Sequence, residues 1–181
     1  MSITRLKTAQ RLQTVRAKKT PVQLGFCMQA EWEAHEATWL AWPHNRTDWP
    51  GKLTAIHWVY SEMARQLFPG ETVRILDNSK PHEIRARRLL NRVGVDPRKV
   101  EFFLIPTNRG WTRDCGPIFL KREGSRPEVA IARFRFNAWA RYSNWNKDDQ
   151  VPFRVSEALG YRLFPIQNKG RDVVLDHPCS N

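Results

Sequence analysis

Apolar and polar positions alternate with two different periods along the chain, and together they predict an α/β protein. Short apolar runs predict strands at residues 38–42, 72–76, 99–105 and 162–166, and a strand pair at 118–121 and 128–136. Longer stretches with a period near 3.6 predict helices at residues 56–67, 83–93 and 148–159. A strand, a helix and a second strand therefore follow one another before residue 111 and again after it, as in layered α/β folds.

The helix predicted over residues 56–67 has the clearest periodic pattern. Its apolar positions, which would share one face of an α-helix, are Ile56, Val59, Tyr60, Met63 and Leu67. An amphipathic helix turns such a face towards the core. We expect Pro69-Gly70 to end this helix, and single glycines to end the other two.

One short run carries more chemical information than any other part of the chain. Residues 111–117 read Trp-Thr-Arg-Asp-Cys-Gly-Pro. Because proline fits neither a helix interior nor a central strand, we expect Asp114 to lie where a strand breaks into a turn. A carboxylate can accept two parallel N–H bonds from a guanidinium, and an indole can stack on its plane. Asp114 and Trp111 would thus suit a planar cation. The alternative is an internal Arg113–Asp114 pair with Trp111 in the core.

Three blocks of sequence, taken together and in order, resemble the agmatine deiminases. Residues 30–43 read Ala-Glu-Trp-Glu-Ala-His-Glu-Ala-Thr-Trp-Leu-Ala-Trp-Pro, and residues 134–139 read Phe-Arg-Phe-Asn-Ala-Trp. Together with the run at 111–117, these two blocks occur in the same order as in that family, and at similar spacing. The family belongs to the guanidine-modifying superfamily, together with bacterial-type peptidylarginine deiminases. The resemblance extends from about Thr20 to about Leu175.

The resemblance implies a fold and a reaction. The fold is an α/β propeller of the pentein type, with five ββαβ blades around a central active site, and this chain would form about two to three of them. The reaction converts agmatine to N-carbamoylputrescine and ammonia, a step of putrescine biosynthesis in polyamine metabolism. A cysteine attacks the guanidinium carbon, a histidine acts as general acid and base, and two carboxylates hold the guanidinium nitrogens. The family needs no metal or organic cofactor.

The resemblance also implies roles for individual residues. Asp114 matches one of the two guanidinium-binding carboxylates. Trp111 and Trp42 fall within matched motifs and are expected to line the substrate pocket, with core packing as the alternative for each. Asp148 matches an acidic position of the family, although an N-cap at the start of the predicted helix is the commoner role for an Asp. We expect Cys115 to be a spectator, because a neighbouring carboxylate raises the pKa of a thiol.

The catalytic groups of the family do not occur in this sequence. The family places its histidine in a Gly-His-x-Asp motif and its cysteine in a glycine-rich stretch near the C-terminus. None of the five histidines or three cysteines here has such surroundings. After Val174-Leu175 the family continues with Glu-Gly-Gly, whereas residues 176–178 read Asp-His-Pro. We therefore expect a truncated, N-terminal part of a deiminase propeller domain over residues 20–175, a divergent terminus at 176–181, and no activity from the chain alone.

The charge of the chain introduces an alternative of another class. The 30 Lys and Arg residues against 18 Asp and Glu give a net charge of +12, so a basic nucleic-acid-binding module has to be considered. Part of the excess lies in residues 1–19, which hold no acidic residue and which we interpret as a flexible basic tail. Because the sequence has no signature of a nucleic-acid module, we do not expect nucleic acid as a partner.

Composition also indicates where the protein works and with what. No apolar run approaches the roughly 20 residues of a membrane helix. Three scattered cysteines favour neither a disulfide framework nor a zinc site. We therefore expect a cytoplasmic protein whose ligand is a small guanidine: agmatine first, with peptidyl-arginine or arginine as alternatives. The expected protein partner is a second copy of the chain or a polypeptide that supplies the missing half.

Overall fold

The computed structural model describes residues 19–174. These residues form two three-stranded sheets, four α-helices and a short ribbon of Gln167–Asn168 with Arg171–Asp172. The basic tail expected at residues 1–19 lies outside the described residues except for Lys19, and the divergent terminus expected at 176–181 lies outside them entirely. Within residues 19–174, no helix is both long and apolar enough to cross a membrane.

The first sheet contains three parallel strands connected by helices. Its strands are β1 (Ala37–Ala41), β2 (Thr72–Asp77) and β3 (Val100–Leu104), in that spatial order. Helix α1 (Leu53–Leu67) connects the first two strands, and helix α2 (Lys80–Arg92) connects the second two. The central strand is buried along most of its length, as expected for a parallel sheet covered on both faces. The strands and helices predicted in this region are confirmed, with boundaries that move by a few residues.

The buried face of α1 matches the predicted one only in part. Ser61 and Ala64 are its buried residues, whereas Val59 and Met63 are 50% and 41% exposed. The buried Ser61 hydroxyl is satisfied because it donates to the His57 carbonyl at 2.8 Å. The small side chains of Ser61 and Ala64 let the helix pack closely on the sheet. The helix is confirmed, and Tyr60 and Leu67 of the predicted face pack against the core. Hydrophobicity alone places the face only in part, because it gives no weight to the small buried residues.

The second sheet has a different order of elements. Strands β4 (Ile118–Arg122) and β5 (Glu128–Arg133) form an antiparallel pair. Strand β6 (Arg162–Pro165) then adds parallel to β5, after helix α4 (Val151–Leu159). This ββαβ order is the unit that the resemblance implied, whereas the first sheet is a βαβαβ unit. The α/β prediction is confirmed.

A single helical turn lies between the two sheets. Helix α3 (Thr112–Cys115) follows β3 and precedes β4. The Cys115 side chain packs in an apolar cluster with Ala41 and Leu76 from the first sheet and Ile131 from the second. Residues of α4 complete the cluster. The core therefore holds the 111–117 run from both sides.

Candidate functional site

The 111–117 run forms a helical turn and not the predicted end of a strand. The amides of Asp114 and Cys115 both donate to the Trp111 carbonyl at 3.0 Å. Strand β3 has already ended at Leu104, so the strand–turn junction expected at Asp114 is wrong. The proline that ends the run has no amide hydrogen, and it stops the turn before a second one can form.

Two glycines make room for this turn. Gly116 has no Cβ, and a Cβ at this position would lie 2.2 Å from the Thr112 carbonyl oxygen. Gly110, directly before Trp111, has a φ of +89°, which glycine adopts without the steric penalty of other residues. A Cβ at Gly110 would also lie 3.4 Å from the Ala41 Cβ. The chain therefore enters the turn close to the end of β1.

Asp114 is half-buried on the turn and lines a small cavity. The cavity measures about 10 Å³ and is lined by Asp114, Cys115, Gly116, Ile118, Ala132, Phe134, Phe136, Asp149 and Pro152. A space of this size holds about one water molecule and is smaller than a guanidinium group. The neighbouring Arg113 is 84% exposed and pairs with Glu31 at 2.9 Å.

Trp111 belongs to an aromatic cluster built by a later loop. Its ring centroid lies 5.1 Å from that of Trp139, with an interplanar angle of 31°. The Tyr142 ring packs against it edge-to-face at 5.4 Å, and Trp139 in turn packs edge-to-face on the buried Phe136 at 5.6 Å. Offset and edge-to-face contacts are the geometries that aromatic quadrupoles favour. The loop therefore fixes the position of the Trp111 indole.

A guanidinium lies against Trp111, and it belongs to the chain itself. The Arg109 Cζ lies 5.4 Å from the Trp111 ring centroid and 4.3 Å from that of Tyr142. Its Nη1 pairs with the Asp48 carboxylate, while its Nε and Nη2 donate to Asn144 Oδ1 at 3.2 and 2.9 Å. A carboxylate and aromatic faces around a planar cation are the arrangement expected for a bound ligand. Here Asp48 supplies the carboxylate and Arg109 supplies the cation.

Asp148 is fully buried and holds the loop that leads into Trp111. One of its oxygens accepts from the Asn108 amide at 2.6 Å, and the Arg109 amide donates to both oxygens at 3.1 and 3.3 Å. Burial raises the pKa of Asp148, while the two backbone donors act in the opposite direction. The N-cap of the short helical segment at this point is Lys147, so the predicted alternative of Asp148 as an N-cap is wrong.

Trp42 lies in a different part of the core. It is 3% exposed, and its ring stacks on that of His57 with centroids 5.4 Å apart. It belongs to the apolar cluster that the first sheet forms with α1 and α2, whereas Trp111 packs on the cluster between the two sheets. The structure therefore brings Trp111 and Asp148 to the same loop, whereas the Trp42 side chain packs in the other apolar cluster.

Cys115 has the environment of an unreactive thiol. Its side chain is 3% exposed. Burial raises the pKa of the Cys115 thiol, and the charges of Asp148 and Asp114 raise it further. Because the thiolate is the nucleophilic form, these surroundings agree with the expected spectator role.

Sequence reasoning missed Asp149. This residue holds the chain just before the loop that carries Trp139 and Tyr142, which we call the aromatic loop. Its buried carboxylate accepts from the Phe136 amide at 2.8 Å and pairs with Arg133 and Arg135, each at 3.1 Å. The adjacent Asp148 and Asp149 therefore hold two different segments. The pair of acids is visible in the sequence, but nothing there indicates which segment each of them binds.

A second polar cluster lies where strands of the first sheet end. Burial raises the pKa of Asp77 to about 6, and the His82 Nδ1 lies 3.9 Å from its Oδ1. Burial lowers the pKa of His82, and the nearby charges of Arg85, His44 and His57 lower it further. Within residues 19–174, no three His, Cys, Asp or Glu side chains are arranged to hold a metal ion.

Comparison with known proteins shows the family. A model of the Porphyromonas-type peptidyl-arginine deiminases matches residues 27–176, and the chain belongs to this family. The agmatine deiminase of Ectopseudomonas mendocina is 28% identical over 150 residues, which cover 80% of this chain and 39% of that protein. The agmatine deiminase of Pseudomonas aeruginosa is 29% identical over 143 residues, which cover 76% and 37%. The membership expected from the three sequence blocks is confirmed.

A solved structure supports the same relationship. The agmatine deiminase of Enterococcus faecalis has a TM-score of 0.71 to this chain at 25% identity, over 81% of this chain and 39% of its own. The chain therefore spans 37–39% of the length of these relatives.

Proposed function

We propose that this chain forms the guanidinium-binding part of a hydrolase of the agmatine deiminase type. The observation that carries the proposal is the family match across residues 27–176, which includes the helical turn with Asp114. The complete enzyme would convert agmatine and water to N-carbamoylputrescine and ammonia. Water supplies the new carbonyl oxygen, and the departing nitrogen takes up its protons.

Asp114 is the residue that we expect to contact the substrate. It is half-buried on a turn that the core holds between the two sheets, and it lines the cavity there. Its carboxylate can accept two parallel N–H bonds from a guanidinium. Such a contact would orient the guanidinium carbon for attack, which is how binding groups accelerate a reaction between fixed partners.

The other three candidates would contribute in different ways. Trp111 is the aromatic wall of the proposed pocket. Asp148 would act through Trp111, because its oxygens already accept amides of the preceding loop. Trp42 would support the end of β1, because it is buried against His57. We therefore expect Trp111 to lie nearest the substrate and the other two to position it.

The remaining catalytic groups would come from sequence that the relatives carry beyond the matched part. The chain spans 37–39% of their length. The small cavity at Asp114 fits this proposal, because a pocket for guanidinium would then form only when those groups are added. We propose that residues 20–175 are the deiminase part, with about two to three of the five blades of a pentein propeller. A cytoplasmic location would suit the free thiols that the described residues contain, Cys27 and Cys115.

The description of the matching family favours a second substrate class. The matching family is named after peptidyl-arginine deiminases. Peptidyl-arginine and arginine carry the same guanidinium group as agmatine. Asp114 would bind that group in all three. Contacts at the other end of the substrate would decide between them.

A chimeric enzyme tests the proposal. Residues 19–174 of this chain replace the matched part of the Pseudomonas aeruginosa agmatine deiminase, and release of ammonia is measured with agmatine, arginine and a peptidyl-arginine. We expect the chimera to act on agmatine and the chain alone to act on none of them. Activity on peptidyl-arginine only would favour the second substrate class. A chimera that unfolds cooperatively but acts on no guanidine would contradict the proposal.

A further inference from the structure

Five side chains surround the guanidinium of Arg109, and we call them the arginine cradle: Thr47, Asp48, Trp111, Tyr142 and Asn144. The Asp48 and Arg109 side chains are only 5% and 10% exposed. Burying a charge is unfavourable unless a partner and hydrogen bonds compensate for it. The cradle supplies both, and it joins the loop after β1 to the loop before α3 and to the aromatic loop.

The contacts in the cradle suit a planar cation with several N–H groups. Two edges of the guanidinium are hydrogen-bonded, one by Asp48 and Thr47 and the other by Asn144 Oδ1. Aromatic rings of the cradle also contact the cation, the nearer at 4.3 Å from its Cζ. A guanidinium can use its rigid fork of donors and its flat face at the same time, whereas an ammonium cannot.

Asp48 has binding capacity that Arg109 does not use. Arg109 pairs with its Oδ1. The Oδ2 atom is buried and has no hydrogen-bond partner among the described residues, although buried polar atoms are nearly always hydrogen-bonded. A guanidinium that is free to turn could donate to both oxygens in the bidentate geometry that carboxylates favour. The unpartnered oxygen therefore indicates the same class of ligand as the rest of the cradle.

We infer that the arginine cradle is a guanidinium-binding site whose resident ligand is Arg109, and that it binds an external guanidinium once the Arg109 side chain is removed. In the intact chain, Arg109 holds Trp111 in place and excludes a second guanidinium from the cradle. The inference does not rest on the deiminase proposal, because it concerns Asp48 and Arg109, not Asp114, and requires no turnover.

The test is a titration of the Arg109→Ala variant of the full chain with methylguanidinium chloride. Thermal unfolding and tryptophan fluorescence report binding. We expect the variant to unfold at a lower temperature than the wild type, with altered tryptophan emission. Millimolar methylguanidinium should restore part of the lost Tm, while equal tetramethylammonium chloride should not. Denaturation by guanidinium salts is negligible in this range, because it requires molar concentrations. The wild type should show no such rise, because its cradle is filled.

A matched variant and a double variant separate this result from a general loss of stability. Arg113→Ala removes an exposed guanidinium from the same segment, whose partner is Glu31, and its Tm should not respond to methylguanidinium. Adding Asp48→Asn to Arg109→Ala should abolish the response.

Three outcomes would overturn the inference. They are equal recovery with tetramethylammonium, equal recovery in Arg113→Ala, and a folded Arg109→Ala variant without any recovery. If Arg109→Ala does not fold, Arg109→Gln is titrated in the same way, and its failure to respond while folded would equally contradict the inference.

Discussion

At the scale of single residues, the most unusual feature is a left-handed backbone at three consecutive residues that are not glycine. Ala138, Trp139 and Ala140 have φ values of 53°, 54° and 56°. For residues with a Cβ, this conformation costs roughly 1–2 kcal/mol per residue. Trp139 packs on Trp111 and on Phe136, so aromatic packing offsets the strain. The strained segment thus positions the rings behind the proposed pocket.

Replacement of Ala140 by glycine should relieve part of this strain. Ala140 is exposed, so Ala140→Gly leaves no cavity. We expect the free energy of unfolding to rise by about 0.5–1 kcal/mol, since relief of the left-handed strain exceeds the extra backbone entropy of glycine. Ala158→Gly is the matched control, because Ala158 is exposed within α4. Glycine there should lower the free energy of unfolding by about 0.5–1 kcal/mol. Urea denaturation measures both, and a loss in both variants would show that residue 140 is not strained.

Which residues act together could be predicted from sequence only where those residues are neighbours in the chain. Trp111 and Asp114 can be recognised because they lie in one short run. The Asp48–Arg109 pair is separated by 61 positions, and neither residue belongs to a recognisable motif. The buried location of Trp42 also depends on how the first sheet packs against its helices, which the local sequence does not specify.

At the scale of elements, α3 depends on a close backbone approach at Gly116. A Cβ there would lie 2.2 Å from the Thr112 carbonyl oxygen, so Gly116→Ala must displace backbone atoms. We expect a loss of about 1–3 kcal/mol in the free energy of unfolding, as for overpacked sites. Gly70→Ala is the control, because its Cβ would lie 3.8 Å from the Leu67 carbonyl oxygen. Equal stability of the two variants in urea would contradict the role of Gly116.

Asp77, the last residue of β2, should make the stability of the fold depend on pH. Burial raises the pKa of Asp77 to about 6, despite opposing hydrogen bonds from the Asn78 and Ser79 amides, compared with about 3.9 in unfolded chains. The folded state therefore holds the proton more tightly, so this residue lowers stability as pH rises from about 4 through about 6. Asp77→Asn should remove that dependence. Relative to wild type, the variant should gain up to about 2–3 kcal/mol of unfolding free energy between pH 4 and pH 8.

A second carboxylate serves as the control for this pH dependence. Hydrogen bonds from Arg98 hold the pKa of Asp96 at about 2, so this group is ionised in both the folded and the unfolded state above about pH 5. Asp96→Asn should therefore shift stability by a constant amount from about pH 5 to pH 8. The measurement is urea unfolding across this range, and an Asp77→Asn curve parallel to wild type would contradict the assigned effect of burial.

Strands and helices could be predicted from sequence because their periods are local properties. The strands of both sheets and the three longer helices follow from periodicity and from glycine and proline positions. The face that α1 buries could be predicted only in part in this way, because its two fully buried residues are the small Ser61 and Ala64. The helical turn at Asp114 could not be predicted either, because it depends on a shared core between two sheets.

At the scale of the whole molecule, two small sheets share an apolar core with α3 between them. This arrangement presents Asp114 at a cavity that has space for about one water molecule. The chain thus carries one part of the proposed site, and the pocket would be completed by other elements. The family could be recognised from three blocks of sequence, whereas the way in which the two sheets pack together can be seen only in the structure.

The role of Asp114 in the chimeric enzyme is the most direct test of the central proposal. Asp114→Asn keeps the size of the side chain and removes its charge. It also replaces one acceptor oxygen that faces the substrate with an N–H donor. Loss of one partner of a buried ion pair costs roughly 3–5 kcal/mol, which corresponds to about a 100- to 5,000-fold loss of activity at about 1.4 kcal/mol per decade. The loss should fall mainly on kcat if the carboxylate orients the guanidinium. Asp96→Asn in the same chimera should leave kcat unchanged, because Asp96 pairs with the exposed Arg98 and does not line the cavity at Asp114.

The decisive measurement is therefore the rate at which N-carbamoylputrescine forms from agmatine in the chimera with Asp114, compared with the chimera with Asp114→Asn. The proposal predicts steady turnover in the first and a loss of at least about 100-fold in the second, with both proteins equally folded. Turnover by the folded Asp114→Asn chimera at the rate of its parent would contradict the assignment of Asp114 as the guanidinium-binding carboxylate.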